Sequence, residues 1–323
     1  MEDHALEFDP RLIGLSVRDW ANRLYEIAKE HGSVEQIDAY HAAFFLKAGP
    51  KLLVTFECAE DIRNSKIGAE PRGYVYAREE GWSCLSIIAF KESWFRDPSM
   101  YDHFDELIDD GFFDSFDDVL FYGNSAGGYA AAAYSVACPG ARVLAIRPQA
   151  TLDPRIASFD NRYKEFRRYD FTSRYGFAPA MIDAAQQAYI VYDPTQVLDA
   201  AHAALFARPN VELLHAKSMG HDIEKAFDGL GIHDDMLLAA MDGRLTTVFF
   251  ARLMRARRAH DRYLRRLFRQ AINSGHPQLA ANLAYFVMRG REDTYFYKQL
   301  QALKQDGIKP QQARLAREVA GKT

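Results

Sequence analysis

Continuous apolar runs, each bounded by glycine, proline or polar residues, recur along the first two thirds of the chain. The runs are rich in β-branched and aromatic residues, which favours strands over helices. The predicted strands span residues 42–46, 51–58, 84–90, 119–122, 142–146, 188–192 and 211–215. Because their hydrophobicity is continuous rather than alternating, we expect a mostly parallel sheet that helices cover on both faces, which is an α/β fold.

Helical periodicity occurs between these strands, and after residue 242 it replaces the strand pattern. Ser16 and Asp19 resemble a capping box at the start of a helix that ends near His31. Further helices are predicted over residues 100–110, 195–207, 244–258, 259–273, 276–289, 292–304 and 309–320. We therefore expect an N-terminal helical segment (1–32), an α/β domain (33–241) and a C-terminal helical region (242–323).

Composition and charge bear on the partners and the cellular compartment of the protein more than on the reaction it catalyses. The net charge of −4 gives no electrostatic reason to expect nucleic acid or an anionic membrane as a partner. The cysteines Cys58, Cys84 and Cys138 match neither a disulfide framework nor a metal motif. The N-terminus lacks the apolar core of a signal peptide, and no apolar run approaches the ~20 residues of a membrane helix. We therefore expect a cytoplasmic protein.

The sequence GNSAGG follows the predicted strand 119–122 and precedes a helix of small residues. A serine in such a turn needs neighbours without bulk, which Gly123, Gly127 and Gly128 supply. Its hydroxyl would project beyond the strand ends, and the N–H of Ala126 would point to where an oxyanion forms. This G-x-S-x-G pattern predicts Ser125 as a nucleophile, against the simpler interpretation of a structural turn.

Two further candidates follow the last two predicted strands. Asp193 comes directly after strand 188–192, and His221 lies on the loop after strand 211–215. Because parallel strands end at one edge of a sheet, Asp193 could orient a histidine there, although Asp-Pro pairs also open ordinary turns. His215 is the rival to His221. We prefer His221, because a loop residue that follows a glycine can reach the serine.

The chain order of serine, acid and histidine, with the motifs GNSAGG, YDP and MGH, resembles the α/β-hydrolase superfamily over about residues 40–235. The resemblance implies a hydrolase core in which a cap is inserted at about residues 148–187, and the helical region would follow as an appendage. In such a site Ser125 attacks, His221 takes and returns the proton, and Asp193 holds the imidazole.

The oxyanion hole of such a site needs a second N–H donor from the loop after strand 51–58. Many members of the superfamily carry His-Gly there, whereas this chain has Phe56-Glu57-Cys58. The N–H of Glu57 or Cys58 could serve beside that of Ala126, because only the amide matters. A Glu57 carboxylate would disfavour the anionic intermediate unless it points away or meets a cation.

About forty residues separate the strands 142–146 and 188–192, which is far more than an ordinary connection. Aromatic residues recur in this segment at helical spacing with arginines between them. An amphipathic cap helix is the simpler interpretation. The alternative is a pocket with an apolar acyl slot and an arginine for an anionic group. The candidate pocket residues are Trp94, Phe95, Asn124, Tyr163, Phe166 and Arg167.

These features predict a serine hydrolase that cleaves an ester or thioester of a small-molecule acyl substrate and needs no metal or organic cofactor. An acyltransferase that passes the acyl group to a sugar or other hydroxyl is the close alternative. A third hypothesis is a catalytically silent scaffold, whose arginine-rich C-terminal helices would bind a protein partner or another copy of the chain. An enzyme requires Ser125, Asp193 and His221 to converge, whereas a scaffold does not.

Overall fold

The long apolar runs pair into one eight-stranded sheet in the computed structural model, which describes residues 5–65 and 68–311. The strands are β1 (Gly32–Gln36), β2 (His41–Leu46), β3 (Lys51–Cys58), β4 (Ser83–Ala89), β5 (Asp118–Asn124), β6 (Arg142–Ile146), β7 (Gln187–Tyr192) and β8 (Val211–His215). Their order across the sheet is β1-β2-β4-β3-β5-β6-β7-β8. Only β2 runs antiparallel to its neighbours, so the expected mostly parallel sheet is confirmed.

Helices alternate with the strands. They are α1 (Val17–His31), α2 (Ala59–Arg63), α3 (Arg72–Glu79), α4 (Pro98–Asp109), α5 (Ala126–Tyr134), α6 (Ala178–Met181), α7 (Val197–Leu205), α8 (Ile223–Leu230), α9 (His233–Met241), α10 (Thr247–Leu253), α11 (Asp261–Asn273), α12 (Pro277–Gly290) and α13 (Thr294–Gln305). The Ser16 side chain accepts a hydrogen bond from the Asp19 N–H, which confirms the predicted cap of α1. Within the described ranges, no helix is both long and apolar enough to cross a bilayer.

The pleat of the sheet sends alternate side chains into two cores. Leu52 and Val54 of β3 lie in the larger core, on the face covered by α4 and α5. Ala42 and Phe44 of β2 lie in the second core, where Trp20 of α1 is fully buried. Burial of apolar surface on both faces stabilises the sheet, at roughly 25 cal/mol for each Å² removed from water.

The chain forms two compact units that divide between Met254 and Arg255. The first unit contains the whole sheet and α1 to α10. In the second unit α11, α12 and α13 pack around their own apolar core, which consists of Leu264, Phe268, Ala280, Ala281, Ala284, Val287, Phe296, Leu300 and Leu303. These three helices match the predictions over 259–273, 276–289 and 292–304. The helix predicted over 309–320 lies almost wholly outside the described residues.

The expectation of an amphipathic cap helix between β6 and β7 is wrong. Before α6 this segment contains only a short 3-10 turn at Lys164–Arg168. Asp153, Asp160 and Asp170 each accept a hydrogen bond from the backbone N–H two residues later. Such local bonds compete with helical ones, so they hold the chain in turns despite the helical spacing of its aromatic residues.

Candidate functional site

Ser125 occupies a strained turn between β5 and α5. Its φ of 55° and ψ of −118° lie in a region that costs a residue other than glycine about 1–3 kcal/mol. The Ser125 N–H donates to the Ile146 carbonyl of the neighbouring strand at 2.9 Å, which fixes the turn to the sheet. The residue is half-buried, and within the described part of the chain no side chain hydrogen-bonds to its hydroxyl.

Two close backbone approaches make this turn depend on glycine. A Cβ on Gly123 would lie 2.2 Å from the Gly127 carbonyl oxygen, and a Cβ on Gly127 would lie 2.1 Å from the Phe56 carbonyl oxygen. Both distances are far below any real Cβ contact. The start of α5 therefore presses directly on the end of β3, so the loop after β3 begins beside the serine.

All three candidate N–H donors of the oxyanion hole lie at this junction. Ala126 is the first residue of α5, and its N–H is one of the free donors of a helix start. Glu57 and Cys58 are the last two residues of β3, and Cys58 directly precedes α2. Burial raises the pKa of the Cys58 thiol.

The Glu57 side chain is directed to groups other than the serine. Its carboxyl accepts hydrogen bonds from the Thr55 hydroxyl at 2.8 Å and from the Arg72 N–H at 3.1 Å. Desolvation raises its pKa to about 7, despite these bonds and the nearby Arg72 charge. Below that pH the carboxyl is mostly uncharged, so it does not oppose an anionic intermediate.

A buried polar network continues beyond Glu57 on the same face of the sheet. The guanidinium of Arg72 meets Asp228 at 3.2 Å and Glu224 at 3.6 Å. The Tyr122 hydroxyl bonds to Glu224 and lies 2.9 Å from Nε2 of His233. This network ties the end of β3 to the helices that follow the His221 loop.

Asp193 is fully buried at the end of β7, and its carboxylate organises the loop that carries the candidate histidine. Oδ1 accepts hydrogen bonds from the N–H and hydroxyl of Thr195 and from the Ser218 N–H at 3.0 Å. Oδ2 accepts from the Gly220 N–H at 2.7 Å. The carboxylate therefore reaches the residue next to His221 but makes no hydrogen bond to that imidazole in the described structure.

The side chain of His221 is about half exposed and faces Arg147. One guanidinium nitrogen, Nη1 of Arg147, lies 2.7 Å from Nε2 and 3.1 Å from Nδ1 of the imidazole. Nδ1 also lies 3.9 Å from Oδ2 of Asp199. Desolvation lowers the pKa of His221, and the Arg147 charge lowers it further. The rival His215 instead contacts the Tyr192 hydroxyl, at 2.9 Å.

The aromatic residues among the pocket candidates are part of the larger core or pack against it. The Trp94 ring packs against those of Tyr163 and Phe166, with centroids 5.0 and 6.2 Å apart, and Phe95 packs on Phe56. The guanidinium of Arg167 instead hydrogen-bonds to the backbone, where it donates to the carbonyls of residues 157 and 160. Asn124 is the half-buried last residue of β5, next to the serine.

One group of side chains in the described ranges has the spacing of metal ligands. Single ligand atoms of Asp38, His41 and Asp97 lie within 4.8 Å of one another. Both His41 nitrogens already have protein partners, since Nδ1 lies 2.8 Å from Asp38 and Nε2 lies 2.5 Å from the Ser93 hydroxyl. We interpret this network as the anchor of the loop in which Trp94 has a φ of 58°.

Sequence reasoning missed Arg147, Gln149 and Asp199. Arg147 and Gln149 follow β6, and the rule that ligand chemistry collects at strand ends would have included them. Asp199 lies one turn into α7, where only the structure reveals that it is buried beside His221.

Comparisons with known proteins find similarity in structure alone. No family model and no curated protein sequence matches the chain. The thermophilic carboxylesterase EstE1, from a metagenomic library, shares 12% identity at a TM-score of 0.40, covering 75% of this chain and 98% of that one. The capsule O-acetyltransferase of Neisseria meningitidis serogroup A shares 13% identity at a TM-score of 0.40, covering 62% and 92%. A Pyrobaculum calidifontis esterase shares 15% identity at 0.37, covering 78% and 94%.

These likenesses are too distant to carry an argument about activity. The expectation of an α/β-hydrolase fold is confirmed by the chain itself. It has the mostly parallel sheet and the strained serine between a strand and a helix, and the loop after β3 begins beside that serine.

The close approach at Gly127 predicts a severe effect of one methyl group. Gly127→Ala should lower the free energy of unfolding by about 3 kcal/mol, because α5 must move away from β3. Denaturant unfolding measures this change. Gly290→Ala is the control, since a Cβ there meets nothing within 4 Å. Equal stability of the two variants would contradict the packing described here.

The raised pKa of Glu57 predicts a pH-dependent cost to stability. Between pH 4.5 and about 7 the folded state holds a proton that the unfolded state has released, so stability falls as pH rises through this window. Glu57→Gln keeps the acceptor but cannot ionise. As pH rises from 4.5 to 7.5, the free energy of unfolding of Glu57→Gln should therefore increase relative to that of the wild type by about 3 kcal/mol.

Urea titrations at several pH values test this prediction. Glu106→Gln, at an exposed position of α4, is the matched control and should track the wild type at every pH. A Glu57→Gln curve parallel to that of the wild type would show that Glu57 ionises normally.

Proposed function

We propose that this protein is a serine esterase, which cleaves a carboxylic ester or thioester through an acyl-enzyme on Ser125. The observation that carries the proposal is the backbone of Ser125, held at a φ of 55° between β5 and α5. Folded proteins retain such strain in a residue other than glycine mainly where function uses it. The strained turn lies at the start of α5, next to the Ala126 N–H, and a hydroxyl beside such a donor is what an acyl transfer site requires.

In the proposed reaction the Ser125 oxygen attacks the acyl carbon while His221 accepts the hydroxyl proton. The N–H of Ala126 and that of Cys58 or Glu57 stabilise the resulting oxyanion. The bond to the leaving group breaks, and His221 returns the proton to the departing oxygen or sulfur. A water then repeats the sequence on the acyl-enzyme and releases the acid.

We assign the acid of this site to Asp193. Its support is a fully buried carboxylate at a strand end, bonded to the residue before His221. The proposal requires a rotation of the His221 side chain away from Arg147 that brings the imidazole between Ser125 and this carboxylate. Asp199 is the competitor, because its Oδ2 is buried without a partner in the described structure and lies 3.9 Å from Nδ1 of His221.

Labelling with a fluorophosphonate tests the nucleophile. We expect intact mass spectrometry to find one adduct on the wild type and none on Ser125→Ala, while hydrolysis of short 4-nitrophenyl esters falls by about 10³-fold or more. Ser115→Ala, which changes an exposed serine, is the matched control and should label as the wild type does. A folded wild type that forms no adduct would contradict the proposal and favour a scaffold.

Product analysis with an added sugar separates hydrolysis from transfer. If Ser125 labels but the acyl group appears mainly on the sugar, the acyl-enzyme assignment stands and the esterase assignment gives way to an acyltransferase. Release of the free acid at an unchanged rate supports the esterase.

A pair of isosteric substitutions tests the assignment of the acid. Asp193→Asn should lower kcat by about 10²- to 10⁴-fold, since it removes the charge that stabilises the imidazolium. Asp199→Asn should lower kcat by less than about tenfold. Circular dichroism must first show that both variants are folded. An equal or larger loss in Asp199→Asn would move the role to Asp199.

A further inference from the structure

Arg147 is a buried arginine without a counter-ion in the described structure. Its residue is 8% exposed, its Nη1 contacts only the imidazole of His221, and its buried Nε has no partner. None of the described carboxylates forms an ion pair with it within 4.0 Å. A buried charge normally pairs, because desolvation costs several kcal/mol that an unpaired ion does not recover. No described carboxylate therefore contacts this charge directly, although Asp61 interacts with it at longer range.

Arg147 lies in the part of the fold that also holds Ser125. Arg147 directly follows Ile146, whose carbonyl accepts the hydrogen bond of the Ser125 N–H. Its φ of 51° is strained, and its N–H donates to the Val191 carbonyl at 2.6 Å, which holds this backbone in place. The guanidinium thus lies beside the candidate base, within the same strand-end cluster as Ser125.

A second group in the same segment also lacks partners. Gln149, two residues further along the chain, is fully buried, and neither its amide oxygen nor its amide nitrogen has a hydrogen-bond partner in the described structure. Buried amides almost always have partners in folded proteins. Two unsatisfied polar side chains so close in sequence, at the end of β6, indicate a polar ligand rather than an apolar one.

We propose that Arg147, assisted by the Gln149 amide, binds a carboxylate carried by the ester substrate. The inference rests on the proposed esterase function and names its substrate class, an ester of a dicarboxylic acid or of a hydroxy acid. The planar guanidinium matches a carboxylate with two parallel hydrogen bonds. A phosphate dianion fits less well, since a single guanidinium that already interacts electrostatically with Asp61 at longer range offers too little positive charge.

The same contact links substrate binding to the base. Without a ligand, Nη1 of Arg147 donates toward the imidazole nitrogens of His221 and occupies a lone pair that a base needs. A substrate carboxylate competes for this guanidinium and releases the imidazole. The carboxylate would therefore increase both binding and the fraction of His221 that can accept the Ser125 proton.

Matched pairs of esters test the inference on the full-length protein. In 4-nitrophenyl hemiadipate the acyl side carries the carboxylate, and in 4-acetoxybenzoate the alcohol side carries it. Each is compared with the analogue in which a carboxamide replaces the carboxylate. In the wild type we expect kcat/KM for at least one charged ester to exceed that of its amide by about tenfold or more.

Arg147→Gln should reduce this charged-to-neutral ratio to near one. The control is Arg155→Gln, which removes an exposed arginine paired with Asp153 and should keep the wild-type ratio. A ratio near one in the wild type for both pairs, or a ratio that Arg147→Gln leaves unchanged, would overturn the inference.

A binding measurement keeps this result separate from the proposed function. Adipate alone should shift the imidazole NMR signals of His221 saturably in the wild type and in Arg155→Gln, but not in Arg147→Gln. If Ser125 forms no fluorophosphonate adduct while adipate still gives this pattern, the carboxylate site stands and the esterase function fails. If Ser125 labels and adipate shifts nothing, the function stands and the carboxylate site is wrong.

Discussion

The candidate site depends on one close approach, in which the first turn of α5 presses against the end of β3. Gly127 leaves no room for a Cβ beside the Phe56 carbonyl, and the Ser125 N–H is bonded to β6 on the other side. The serine, which follows β5, is therefore fixed by the two strands on either side of it, β3 and β6. A rigid sheet can hold its strained backbone, because relaxation would have to separate whole strands.

The acidic and basic side chains around this fixed point are not all paired with one another. The Asp193 carboxylate accepts hydrogen bonds from the backbone of the loop before His221. The Glu57 carboxyl is mostly uncharged below pH 7. Arg147 is left with an imidazole as its only side-chain partner in the described structure. The buried Arg147 charge thus lies at the end of β6, the strand to which the Ser125 N–H is bonded. The proposed function would use a charge of this sign for an oxyanion or an anionic substrate.

Sequence patterns predicted the sheet well, because continuous apolar runs rich in β-branched and aromatic residues indicate buried strands. The bounds of β3, β6 and β8 match the predicted strands residue for residue, and the G-x-S-x-G pattern identified the strained turn at Ser125. The helix predicted between β6 and β7 is wrong, because the aromatic spacing there suggested a helix while local hydrogen bonds to aspartates determine the backbone. The roles of Arg147 and Asp199 depend on burial and missing partners, which no local pattern encodes.

The candidate site combines a fixed serine, the proposed nucleophile, with a histidine whose side chain is half exposed. Ser125 is held by backbone bonds to the sheet, whereas His221 is half exposed and bonded only through its side chain. Asp193 anchors the loop up to Gly220 but stops one residue before the histidine. In the proposed mechanism, a change in the partner of the Arg147 guanidinium would reorient His221 while the backbone of the site stays in place. Substrate binding would then complete the catalytic arrangement without any movement of the strained turn.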